Sequence, residues 1–188
     1  MRIATRSRSS LARLGAALAA VTALATAFLG TPAVAASKPQ VAPAAVIADG
    51  LIRWHNINSG ECLTFAAGAR GAAYQQACDD PNFSGANSEW YARNVGGNNY
   101  TFINQAIPQC LSISGSSVSD GAAAFIWTCT AGLTAQIFTL VPVGTDTYEL
   151  VNINSNKCIS VGGAKRTPGA WVIQWTCYGG GEQLWRPY

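Results

Sequence analysis

Three asparagines, Asn56, Asn104 and Asn152, stand 48 residues apart, and each precedes a cysteine (Cys62, Cys110, Cys158) by six residues. Behind each cysteine comes an apolar-hydroxyl-apolar triplet: Leu63-Thr64-Phe65, Leu111-Ser112-Ile113 and Ile159-Ser160-Val161. A Gly-Ala pair follows (Gly71-Ala72, Gly121-Ala122, Gly169-Ala170), then a short apolar run that ends in a second cysteine, Cys78, Cys129 or Cys177. Each unit closes on an aromatic, Trp90, Phe138 or Trp185. A period between 20 and 50 residues is the signature of repeated supersecondary units. The units run over about residues 51–97, 98–145 and 146–188.

Ahead of the repeats, Arg2, Arg6, Arg8 and Arg13 precede an apolar stretch from Leu14 to Leu29, and Ala33-Val34-Ala35 supplies a small-x-small cleavage pattern. This reads as a secretory signal peptide over 1–35. The apolar run of about 16 residues is shorter than the ~20 a spanning helix needs, so no membrane insertion is expected after cleavage. Residues 36–50, with Pro39 and Pro43, read as a linker or ordered arm. Four of the twelve basic residues and none of the nine acidic ones lie in the signal segment, which leaves the mature chain at a net charge of −1. That balance gives no argument for a nucleic-acid partner.

Two cysteines per unit in an exported chain imply three disulfides. Six cysteines allow 15 pairings, and the repeat favours one local geometry used three times: Cys62–Cys78, Cys110–Cys129 and Cys158–Cys177. No Cys-x-x-Cys pair is present and His55 is the lone histidine, so no metal and no other cofactor is expected. Period-two alternation in Tyr100-Thr101-Phe102-Ile103 and Tyr148-Glu149-Leu150-Val151 predicts strands, with Trp54, Phe102 and Leu150 as equivalent core positions. Clusters of Gly, Asn, Ser and Pro keep the strands short. Four strands per unit make about twelve in all. Three units suit a closed threefold barrel, an all-β β-trefoil over 51–188 with pseudo-threefold symmetry, better than a propeller of at least four blades.

The motifs Gln183-Leu184-Trp185, Gln136-Ile137-Phe138, Trp127-Thr128-Cys129 and Trp175-Thr176-Cys177 resemble those of ricin B-chain type β-trefoil lectin domains, carbohydrate-binding modules of secreted actinobacterial proteins. The first unit departs, with Ser88-Glu89-Trp90 and with Gln76 in place of the tryptophan. The resemblance implies that Trp90, Phe138 and Trp185 are core. It also implies that sugar is held by an Asp two residues after the first cysteine, an aromatic two before the second and an Asn before the Gln. Here the Asp position carries Thr64, Ser112 and Ser160, and only Asn87 keeps the amide.

The third unit is then the leading carbohydrate site: Trp175 as stacking platform, Ser160 and Gln174 for hydrogen bonds, Gln183 as support and Glu182 as a carboxylate from a new position. The second follows with Trp127, Ser112 and Asp120, and the first, with Thr64, Gln76 and Asn87, ranks last. Trp127 and Trp175 share a strand face with Cys129 and Cys177, so packing over the disulfides is the alternative for both. Trp171, which the repeat does not demand, reads equally as a sugar platform, a protein contact or a residue packed under the N-terminal segment. No nucleophile accompanies His55 and no facing pair of carboxylates stands out among the acids, so an enzyme is not expected. The sequence thus points to an extracellular, lectin-like binder of a polysaccharide or glycan. A protein-interaction or inhibitory trefoil with degenerate sugar sites is the alternative.

Overall fold

The computed structural model describes residues 47–65, 71–80 and 85–188. The signal segment and residues 36–46 lie outside the described residues.

Among the described residues, all regular structure is β apart from five three-residue 3-10 turns. The first strand is interrupted at Arg53, into β1 (Gly50–Ile52) and β2 (Trp54–Asn56). β1 pairs with β5 (Trp90–Gly96), whereas β2 pairs with β13 (Leu184–Pro187). Between these lie β6 (Asn99–Asn104), β9 (Phe138–Gly144) and β10 (Thr147–Asn152), in the order β1-β5-β6-β9-β10-β13-β2. Since β1 and β2 continue one another, the order closes into a six-stranded antiparallel barrel. This break also explains why thirteen strands are found where about twelve are expected. Closure removes free sheet edges from the barrel.

Three hairpins complete the fold: β3 (Cys62–Phe65) with β4 (Ala73–Gln76), β7 (Cys110–Ile113) with β8 (Ala124–Trp127), and β11 (Lys157–Val161) with β12 (Val172–Trp175). Single bridges join them cyclically, Ala72 to Phe125, Ala123 to Ile173 and Trp171 to Tyr74. The architecture is the β-trefoil. The register corrects one detail of the repeat. Gly71 accepts from Ile126 N where Ala122 and Ala170 accept from Gln174 N and Gln75 N, so the first Gly-Ala pair is offset by one residue. Gly71 has φ of +68°, and a Cβ there would stand 2.9 Å from Ile126 Cγ1. Both the conformation and the space require glycine at that position.

Alternation along β2, β6 and β10 buries Trp54, Phe102 and Leu150, and Trp90, Phe138 and Trp185 are fully buried beside them. Phe102 meets Trp54 edge-on at 5.5 Å and lies 5.9 Å from Phe138, geometries that the ring quadrupoles favour. The indole N–H groups of Trp90 and Trp185 donate to Leu63 O and Ile159 O, each at 3.0 Å, so burying these rings strands no polar atom. The three disulfides pair within units as the repeat implies, with Cα–Cα distances of 5.1, 5.0 and 5.1 Å. Each closes a loop of 16 or 19 residues, worth about 3 kcal/mol in the chain-entropy description. The described end of the N-terminal arm packs against the barrel, where Ile47 O accepts from the Tyr100 hydroxyl at 2.8 Å.

The repeated asparagines join the units. Asn56 Nδ2 donates to Glu182 O and Leu184 O of the third unit. Asn104 does the same to Asn87 O and Glu89 O of the first unit, and Asn152 to Ala135 O and Ile137 O of the second. Their Oδ1 atoms accept from the backbone of the turn that follows, such as Asn58 N, Ala106 N and Asn154 N. Gln136 and Gln183 clamp the loop behind the second cysteine through paired backbone bonds, to Thr130 N and Thr128 O and to Tyr178 N and Thr176 O. Ser88 turns instead to Gly85 O.

A surface latch ties the second unit to the third. Asp120 pairs with Lys157 Nζ at 2.7 Å and accepts from Thr176 N at 2.7 Å. The Lys157 ammonium and then the Thr176 groups hold its carboxyl below the usual carboxylate range.

Two outcomes are expected. Replacing Asn152 with Ala strands buried carbonyls and turn N–H groups and lowers stability by about 2–3 kcal/mol, measured by urea denaturation with the disulfides intact. Because folding depresses the Asp120 pKa, the latch stabilises at neutral pH and its contribution is lost as pH falls through the folded value. Asp120→Asn therefore lowers the melting temperature at pH 7, and the gap to the wild type closes on acidification.

Candidate functional site

Each of the second and third hairpins carries a pocket on its outward face. Along β12, Val172 and Gln174 point inward and are buried, Ile173 is half-buried and Trp175 is exposed. The pocket beside Trp175 encloses about 280 Å³ and is bounded by Ser160, Gly163, Ile173, Trp175, Tyr178 and Glu182. Trp175 and Tyr178 supply aromatic walls. The Ser160 hydroxyl lies among the lining groups, and the Tyr178 hydroxyl donates to the Glu182 carboxylate. Glu182 is almost wholly buried and lines the pocket. Ser116 and Ala164 adopt left-handed backbone at φ of 50° and 51° beside the pocket glycines Gly115 and Gly163. Non-glycine residues in that region are uncommon.

The second pocket, of about 330 Å³, is lined by Ser112, Gly115, Ser116, Phe125, Trp127 and Leu133. Phe125 and Trp127 stand 5.8 Å apart with planes tilted by 47°. It lacks the counterpart of Glu182, because Ala135 occupies that position. In the first unit the Thr64 hydroxyl donates to Asn87 O at 3.1 Å, and Gln76 Nε2 donates to Asp80 Oδ2 at 2.6 Å.

The structure thus brings Ser160, Trp175 and Glu182 together, and likewise Ser112 with Trp127. The tryptophans present their rings to solvent, Trp175 at 43% exposure and Trp127 at 58%. Two expected ligand contacts lie elsewhere. Gln174 is completely buried, accepting from the Ser155 hydroxyl and donating to Ser117 O and Ser119 O. It braces the second unit's loop and has no group left for a ligand. Asp120 is engaged in the latch to Lys157 and Thr176 and is not part of the second pocket's lining. Gln183 is buried in its loop clamp on Thr176 and Tyr178 and is not part of the third pocket's lining.

The sequence reading missed Tyr178 and Gln75. Gln75 repeats the role of Gln174, bonding to Lys165 O, Thr167 O and the Ser59 hydroxyl. Its signal was the matched spacing from Cys62 and Cys158 once the shorter first loop is allowed for.

Among the described residues, the two groups with metal-like spacing are His55, Cys62, Cys78 and Glu149, Cys158, Cys177. Each contains a disulfide, whose sulfurs are not the thiolates that bind metals. His55 stacks on Tyr188 at 4.5 Å, and burial pushes its pKa down. No helix among the described residues is long and apolar enough to cross a membrane.

A family model described as "Ricin-type beta-trefoil lectin domain-like" matches residues 45–127 and 134–188. A search of curated protein sequences gave no match. Among solved structures, the chain is similar to the designed threefold-symmetric protein ThreeFoil, at 28% identity and a TM-score of 0.68 over 74% of this chain and 98% of that one. It shares its fold with part of the exo-β-1,3-galactanase 1,3Gal43A from Clostridium thermocellum, at 22% identity and a TM-score of 0.67, over 76% of this chain but 30% of the enzyme. A sialoglycan-bound lectin from Polyporus squamosus aligns at 17% identity and a TM-score of 0.63, over 74% of this chain and 48% of that one. With the pattern carried across all three units and the barrel, hairpins and disulfides all in place, the chain belongs to the ricin-type β-trefoil lectin domain-like family.

Proposed function

We propose that this protein is a secreted, non-catalytic carbohydrate-binding module that recognises a polysaccharide or glycan through the third unit's pocket and, second, through that of the second unit. The observation that carries this reading is the third pocket, where Trp175 and Tyr178 flank the Glu182 carboxylate and the Ser160 hydroxyl. A pyranose ring presents an apolar C–H face and a rim of hydroxyls. An indole accepts the first, and a carboxylate accepts two hydrogen bonds from the second. Glu182 reaches the pocket from the turn before Trp185, and so replaces the acid missing behind Cys158. Three disulfides suit an oxidising, extracellular setting. Membership of a lectin-like family supports carbohydrate as the ligand class.

A second reading, a protein-interaction trefoil, draws on another groove of about 500 Å³ that contains neither pocket tryptophan and is lined by Arg93 and Val95 of the first unit, Ala131 and Ile137 of the second and Ile153 of the third.

A glycan and polysaccharide array with the oxidised chain from Ala36 to Tyr188 tests the proposal. Trp175→Ala and Glu182→Gln are each expected to weaken binding about tenfold or more, with Trp127→Ala removing a smaller share. Absence of binding by a chain whose thermal melt shows it folded would overturn the carbohydrate reading and favour the protein groove.

A further inference from the structure

The outer face of each hairpin is crossed by a row of three side chains on adjacent strands. Directly opposed residues in an antiparallel pair point to the same face, so the registers define the rows. In the third unit the row is Ser160, Ile173 and, across the bridge, Ala123 of the second unit. In the second it is Ser112, Phe125 and Ala72 of the first unit. The first two residues of each row line the corresponding pocket. In the first unit the row is Thr64, Tyr74 and Trp171 of the third unit. One position that is alanine twice is therefore tryptophan beside the one unit that has Gln76 in place of its own tryptophan.

Trp171 is 55% exposed although its strand neighbours Ala170 and Val172 are buried. It shares the outer face of its strand with Ile173 and Trp175. The first unit also holds an acid the second lacks: Asp80 accepts from Gln76 at 2.6 Å. Gln76 follows Tyr74 by two residues on β4 and so shares its face, which puts the Asp80 carboxylate that it holds beside the same row.

We infer that the first unit carries a further carbohydrate site in which Trp171, donated by the third unit, is the stacking platform and Asp80, held by Gln76, is the acceptor for ring hydroxyls. The inference rests on carbohydrate being the ligand class of this fold. It differs in moving the platform from the hairpin's own strand to the opposite rim, supplied by a neighbouring unit. The ligand class is a pyranoside with one apolar ring face and adjacent hydroxyls.

The test uses the indole N–H resonances of the folded, oxidised protein. Trp54, Trp90 and Trp185 are buried, so the double variant Trp127→Ala/Trp175→Ala leaves Trp171 as the one exposed indole. The probes are the methyl β-glycosides of galactose, glucose, xylose and N-acetylglucosamine at millimolar concentration. The expected result is that one resonance, assigned by its loss in Trp171→Ala, moves saturably with at least one probe. Asp80→Asn should then weaken that binding about tenfold. A stationary Trp171 signal, with Trp127 or Trp175 moving in the wild type, would overturn this site and leave the proposed function standing. If none of the three signals moves in the wild type, both fall. Movement that Asp80→Asn leaves unchanged also overturns the site as drawn, since the ring alone would be holding the sugar. Thermal melting of each variant verifies folding, and an exposed residue such as Trp171 is removed at little cost to stability.

Discussion

One buried side-chain amide per unit holds the ring of units together. Asn56, Asn104 and Asn152 each take carbonyls from the turn that ends the preceding unit and offer an oxygen to the turn that follows their own strand. A side chain of this size with two donors and an acceptor meets both demands at once. Moving it by one residue would turn it to the other face of its strand. The invariance of the spacing therefore has a mechanical origin, and the third pocket inherits it, because the turn that Asn56 holds contributes Glu182.

The fold was legible because its constraints are local and recur. The Asn-to-Cys interval, the paired cysteines and the closing aromatics all reappear in the structure as the cross-unit amide, the intra-unit disulfide and the buried ring. The strand count differs by one only because the first strand changes partner at Arg53. The first Gly-Ala pair is out of phase for a similar reason: a shorter loop places Gly71 under Ile126, and sequence alignment by residue type cannot see that the hydrogen-bond register has shifted.

The sites were less legible because exposure and partnership depend on what crosses from another unit. Gln174 sits beside Trp175 in sequence, yet alternation sends it inward to carbonyls more than fifty residues away. Asp120 lies in the loop of one unit and spends its charge on the next. Glu182, by contrast, lines a pocket with its own unit's Ser160 and Trp175, because the turn before the closing aromatic faces that unit's hairpin. Tyr178, whose position no motif marks, entered only through its contact with that acid.

The bridges between hairpins run in one direction around the axis: the third unit edges the first, the first edges the second, and the second edges the third. Inheritance in such a ring is asymmetric. A substitution at the start of one hairpin's returning strand also alters the outer face of the neighbouring unit's hairpin. The three surfaces therefore cannot diversify as independent copies. Each outer face is built from two units, so a change in one stretch of chain is felt on the hairpin of its neighbour.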